Sequence, residues 1–262
     1  MSGPQLIKHE QFPSRFLRNQ RDLIVYLPPG YQEQAQRRFP VLFLHDGQNL
    51  FDGATSFIPG MDWHVGQTAD YCIQAGLVEP LIIVGIYNAG KQRLGEYTPT
   101  RMPKLGGGRA NRYAKFLLEE VRPFLLGSYR VLSGAENTGI GGSSLGGLVS
   151  LYLGLRLPHV FGKIAALSPS VWWNQRVILR FADAAPPVDP LPRIWLDIGT
   201  REGGRIVEDV ERFRDILLTK GWRLGRDVHY QRVEGAEHNE AAWAHRVAPF
   251  LQFLFPAGER RV

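Results

Sequence analysis

Residues 138–147 read Thr138-Gly139-Ile140-Gly141-Gly142-Ser143-Ser144-Leu145-Gly146-Gly147, and Gly142 to Gly146 within them fit the pattern G-x-S-x-G. A short apolar run at 138–141 leads in and a helical pattern at 145–156 leads out, so Ser144 falls where a buried strand turns sharply into a helix. Glycines on both sides let the backbone take a strained turn and let the helix pack close behind it. A serine hydroxyl is a weak nucleophile at neutral pH; it needs a base to take its proton and donors to hold the oxyanion it creates. Those partners must lie elsewhere in the chain.

Outward from this turn, strand and helix alternate. Apolar runs stand at 41–45, 81–87, 138–141, 163–167, 193–198 and 228–233, with helical stretches at 109–126, 145–156, 205–220 and 240–254. Such alternation predicts an α/β fold: a mostly parallel, twisted sheet with helices on both faces. Ahead of it, residues 14–27 read as an antiparallel hairpin, with Arg18 to Asp22 as its turn, Leu23 to Leu27 as an apolar arm and Pro28-Pro29-Gly30 as its end. No repeat or low-complexity linker divides the chain, so residues 1–262 are expected to form one domain.

In a parallel sheet the ligand sits beyond the carboxyl ends of the strands. That rule places 46–61, 88–108, 168–174, 199–204 and 234–239 on the active side, and the proline-rich stretch from Ala184 to Pro192 on the other. His238 follows the last strand and is the expected base. His159 and His229 read as a surface turn and a strand position, and His245 as part of the final helix, while His45 and His64 read as pocket-lining or structural. The acid is expected after the strand Ile194 to Ile198, where Glu202 is favoured over Asp197, inside the strand, and Asp209, well into the helix. A carboxylate there would fix the imidazole tautomer and stabilise the imidazolium. One oxyanion donor is expected at the backbone N–H of Leu145, at the start of a helix, and the second at Gly47 or Gln48 in the loop that follows His45.

The segment Asn88 to Gly108 is long for a connection and carries Lys91, Arg93, Arg101 and Lys104 against Glu96. It suggests a basic rim suited to anionic or phenolate-bearing esters, with Arg93 and Tyr97 touching substrate; the plainer alternative is an Arg93–Glu96 pair that merely holds the loop. Trp172 and Trp173 follow a strand and are expected at the pocket, with Phe51 and Trp243 as further wall.

These residues resemble the esterase D-like branch of the α/β-hydrolases. The stretches that carry the resemblance are Leu44 to Asp52, Gly141 to Gly147, Ser168 to Trp173 and Glu234 to Glu240, and it extends over almost the whole chain. It implies an α/β-hydrolase fold and ester hydrolysis through Ser144, His238 and Glu202, in a family that includes siderophore, feruloyl and acetyl-xylan esterases. The expected activity is a serine carboxylic-ester hydrolase acting on a small, aromatic, carbohydrate-linked or siderophore-like ester. An acyltransferase using the same acyl-enzyme and a non-catalytic ligand-binding member of the fold are the alternatives.

Composition fits this picture. The net charge of +6 is dispersed and forms no cationic block, so no nucleic-acid partner is expected. The apolar runs are strand length, far short of a bilayer span, and the N-terminal residues show no signal-peptide pattern, so a cytoplasmic location is expected. The single cysteine, Cys72, reads as a half-buried helix position. There is no dinucleotide fingerprint, phosphate loop or metal-ligand cluster, so neither cofactor nor metal is expected.

Overall fold

The computed structural model describes residues 3–186 and 188–258. An eight-stranded sheet runs through it. Strands β1 (Gln5–Ser14) and β2 (Asn19–Leu27) form an antiparallel hairpin, and β2 pairs antiparallel with β4 (Ile82–Ile86). From β4 onward the pairing is parallel, through β3 (Val41–His45), β7 (Thr138–Ser143), β8 (Lys163–Leu167), β9 (Arg193–Gly199) and β10 (Val228–Val233), giving the order β1-β2-β4-β3-β7-β8-β9-β10. The strands β5 (Arg101–Met102) and β6 (Gly106–Gly107) pair apart from it as a small ribbon.

Two-residue periodicity gives the sheet a core on each face. Val41 and Phe43 turn to one core and Leu42 and Leu44 to the other; Ile194 and Leu196 likewise oppose Trp195. The first core is closed by helices α3 (Ala110–Phe116), α4 (Arg122–Ser128), α5 (Leu145–Arg156), α6 (Trp173–Ala184) and α7 (Gly204–Thr219). The second is closed by α1 (Val65–Gln74), α8 (Glu240–Ala244) and α9 (Val247–Leu254), and the short α2 (Arg93–Glu96) sits in the 88–108 segment.

Several boundaries differ from the sequence reading for definite reasons. The hairpin turn is Arg15 to Arg18, not Arg18 to Asp22. Arg18 takes φ 56° and its N–H donates to Ser14 O at 2.9 Å, while Arg21 is drawn into the strand by a buried ion pair with Glu96 at 2.9 Å. The last helical stretch splits at His245 and Arg246, because the Pro249 ring conflicts with the carbonyl four residues back. Pro123 is met by a π-helical stretch, Leu117–Val121, that joins α3 to α4. Helix α6 lies where no helix was expected. Cys72 is fully buried in the second core rather than half-buried. Of the proline-rich stretch, residue 187 lies outside the described residues.

Candidate active site

Ser144 leaves β7 at φ 57°, ψ −120°, a conformation an L-residue adopts only under constraint. The turn is tight on every side. A Cβ on Gly142 would come within 3.1 Å of His45 Cβ and 3.2 Å of the Gly146 backbone, and one on Gly147 within 3.1 Å of Pro169 Cα. The N–H of Ser144 donates to Leu167 O at 3.0 Å, and the N–H of Ser170 donates to Ser144 O at 2.9 Å, so the turn is locked to the end of β8. Ser144 Oγ lies 3.3 Å from Ser170 Oγ. Leu145 is the first residue of α5, where N–H groups have no intrahelical acceptor and the helix dipole favours an anion.

His238 stands on the loop after β10 and lines the same cavity as Ser144. Its Nδ1 lies 2.6 Å from Glu202 Oε2, and its ring meets the Trp243 indole edge-on at 4.9 Å. Glu202 ends the short 3-10 turn after β9, with its side chain only 1% exposed. Its other oxygen accepts from Ser168 Oγ at 2.6 Å and from the Gly199 N–H at 2.9 Å. Burial pushes this carboxyl upward, but the hydrogen bonds from His238, Ser168 and Gly199 and the charge of His238 outweigh it and hold it below its ordinary value.

Ser168 is the hub beneath. Its hydroxyl accepts from Trp243 Nε1 at 3.1 Å and from Arg246 Nη1 at 2.8 Å, two groups that can only donate. The serine proton is therefore directed to Glu202, which requires that oxygen to be unprotonated. Arg246 also donates to Asp197 Oδ1 at 2.6 Å, and Asp197 Oδ2 accepts from Trp195 Nε1 at 2.7 Å. Asp197 thus anchors the support layer and does not touch His238. Asp209 is bound to Arg176 at 2.5 Å.

The cavity has a volume of about 240 Å³. Asp46, Gln48, Asn88, Arg93 and Glu240 supply its polar wall, and Phe57, Ile58 and Trp243 its apolar one. Arg93 grips Asp46 bidentately, Nε to Oδ1 and Nη2 to Oδ2, both at 2.7 Å, and Asn88 Nδ2 donates to Oδ1 at 2.7 Å. Burial pushes the Asp46 carboxyl up, and the guanidinium charge with these hydrogen bonds brings it below its ordinary value.

The structure relocates several residues expected at the pocket. Arg93 lines it, but its partner is Asp46, because Glu96 is already engaged by Arg21. Tyr97 is fully buried beneath the site, its hydroxyl 3.3 Å from the Asp46 N–H. Trp173 is fully buried with its indole N–H on Thr100 O, and Trp172 is 41% exposed outside the cavity wall. Phe51 belongs to the second core. Gln48 lines the cavity whereas Gly47 packs on β4, where a Cβ would meet Gly85 C at 2.6 Å. The basic rim is likewise absent from the cavity wall: Lys91, Arg101 and Lys104 are exposed outside it. His64 is exposed beside Asp62. His45 is wholly buried under the Ser144 turn, its Nδ1 2.9 Å from Tyr113 Oη; burial and the charges of Arg93 and Arg21, partly offset by Asp46, push it down to about 3.

Sequence pattern alone assigns no role to Ser168, Arg246, Asp46, Asn88, Glu240, Phe57 and Ile58. Asp46, Ser168 and Glu240 lie inside the stretches that carry the family resemblance, which is the signal that marks them. The others carry no local signature.

The sheet order, the strained serine turn at the end of β7 and the His238–Glu202 pair beyond β10 and β9 define an α/β-hydrolase fold. The chain belongs to the esterase family described as "Putative esterase", whose model matches residues 14–254. It is similar to the endo-1,4-beta-xylanase/feruloyl esterase of Xylanibacter ruminicola, 25% identical over 88% of this chain and 29% of that one. It is also similar to the siderophore triacetylfusarinine C esterase of Aspergillus fumigatus, 28% identical over 55% of this chain and 49% of that one. The matched stretch thus covers less than half the length of both. Among solved structures, the enterobactin esterase FES from Shigella flexneri superposes with a TM-score of 0.76 at 21% identity, covering 97% of this chain and 58% of that one.

Proposed function

We propose that the protein is a serine carboxylic-ester hydrolase. The observation that carries this reading is the 2.6 Å pairing of His238 Nδ1 with a buried Glu202, on the cavity that Ser144 enters from its strained turn. Glu202 holds the proton on Nδ1, which leaves Nε2 unprotonated as the base. Rotation of the Ser144 hydroxyl away from Ser170 gives its proton to Nε2 as Oγ bonds to the ester carbonyl carbon. The N–H groups of Leu145 and Gln48 receive the oxyanion. The imidazolium then protonates the departing alkoxide, leaving acyl-Ser144 and a free alcohol. Water, deprotonated by Nε2, attacks the acyl carbon, and the proton returns to Ser144 Oγ as the acid departs.

The similarity to siderophore and feruloyl esterases supports esters of that kind as substrates. The cavity is small beside typical ligand pockets of about 300–1,000 Å³, so a large ester would present one arm to it and leave the rest outside. The test is turnover of p-nitrophenyl esters with labelling by a fluorophosphonate. Ser144→Ala should lose both, with a rate drop on the order of 10⁴-fold or more. Retained turnover in that variant would place the nucleophile elsewhere.

A further inference from the structure

The two carboxylates on the cavity wall are in unlike circumstances. Asp46 is matched atom for atom by Arg93, whose guanidinium charge, like that of His238, reaches Glu240 only through space and without a hydrogen bond. Glu240 has no such match. It is 4% exposed, lines the cavity from the start of α8, and accepts one hydrogen bond from another side chain, Asn49 Nδ2 to Oε1 at 3.2 Å. Among the described residues no basic side chain stands within ion-pair distance of it. The exposed cations of the 88–108 segment do not line the cavity either.

Resting on the ester-hydrolase reading, we infer that Glu240 makes this cleft selective for esters whose arm in the cavity is uncharged, apolar or hydroxyl-bearing, and makes it reject esters that bring a carboxylate there. An anion beside a buried, unmatched carboxyl meets repulsion that water screens poorly. Burial and the Asp46 charge, partly offset by His238 and Arg93, already push the Glu240 carboxyl upward, and a second anion at this wall pushes it further, so such an ester is received only against repulsion or with uptake of a proton. A hydroxyl can instead donate to Glu240, and an apolar arm is received by Phe57, Ile58 and Trp243 on the facing wall.

The test uses two matched pairs of esters on the full chain: p-nitrophenyl butyrate against p-nitrophenyl monosuccinate for the acyl side, and phenyl acetate against 3-carboxyphenyl acetate for the alcohol side. Wild-type kcat/KM should favour the neutral member of at least one pair by about tenfold or more, and Glu240→Gln should shrink that preference by about tenfold. Glutamine keeps the side chain's shape and an acceptor for Asn49 while removing the charge, so a purely structural role would lower both members together and leave the ratio unmoved. A ratio unchanged within twofold in Glu240→Gln, or a wild type that prefers the anionic member, overturns the inference. Should that variant fail to fold, the wild type decides alone: equal rates on both pairs overturn it. Absence of any Ser144-dependent turnover of the neutral esters would instead overturn the hydrolase reading itself.

Discussion

Glu202 and His238 meet at 2.6 Å across a boundary: the carboxylate side chain is 1% exposed and the imidazole 42% exposed. The anion is thus fixed inside the protein while the group it orients remains open to substrate and water. Glu202→Gln should fold and still accept from Nδ1, yet lose the charge that favours the imidazolium, lowering kcat by roughly 10²–10⁴-fold, as measured by steady-state turnover at pH 7–8. Because the folded carboxyl lies below its ordinary value of 4.5, its contribution to stability is present above that pH and lost as pH falls through the folded value. The stability gap between wild type and Glu202→Gln should therefore narrow in acid, and a gap that widens below pH 4.5 would contradict this assignment.

Ser168 should act on both stability and rate. Ser168→Ala takes a hydrogen bond from Glu202 and leaves the Trp243 indole N–H buried without its acceptor, a loss of about 1–3 kcal/mol. Urea unfolding should show that loss. The pH profile of kcat should shift as well, since the carboxylate that steadies His238 has lost a donor; an unshifted profile would confine Ser168 to stability.

His45 sets a second acid limit on the fold. It is kept neutral in the folded protein down to about 3 against an ordinary 6.5, so the unfolded chain binds the extra proton between these values. Stability should fall as pH drops through that window, by at most about 1.4 kcal/mol per pH unit. Denaturant titrations from pH 7.5 to 4 should show this slope in the wild type and a flatter one in His45→Asn. Parallel slopes would mean that the imidazole titrates freely.

In the proposed mechanism Ser170 competes with His238 for the Ser144 hydroxyl. Ser170→Ala frees the Ser144 hydroxyl from its 3.3 Å neighbour and should raise the rate of fluorophosphonate labelling about two- to fivefold. Slower labelling would show that Ser170 orients the nucleophile instead.

What the sequence made legible follows from locality. Ser144, Glu202 and His238 each stand just past an apolar run that forms a strand, so parallel topology alone carries them to the same side of the sheet, beyond the strands' carboxyl ends. The aromatic wall was not legible in that way. Trp172 and Trp173 are adjacent in sequence, but a half-turn of backbone sends one to solvent and the other onto Thr100. Charge partners were equally hidden: Arg93 has Glu96 three residues away, yet pairs with Asp46, because β2 delivers Arg21 to Glu96 first. Helix α6 opens with Asn174, Gln175 and Arg176 at positive φ, a departure that no helical periodicity announces.

The packing of His45 beneath Gly142 and Gly146 has a consequence for any effort to alter this protein by directed evolution. With a Cβ on residue 142 only 3.1 Å from His45 Cβ, and one on residue 146 only 3.3 Å away, the height at which Ser144 stands is a joint property of three positions on two strands and a helix. Libraries that randomise them one at a time will sample mostly inactive sequences, because the contact is with the Cβ at position 45: only glycine there removes it, and a side chain at 142 still meets the Gly146 backbone at 3.2 Å. Those three positions should be varied together as one unit.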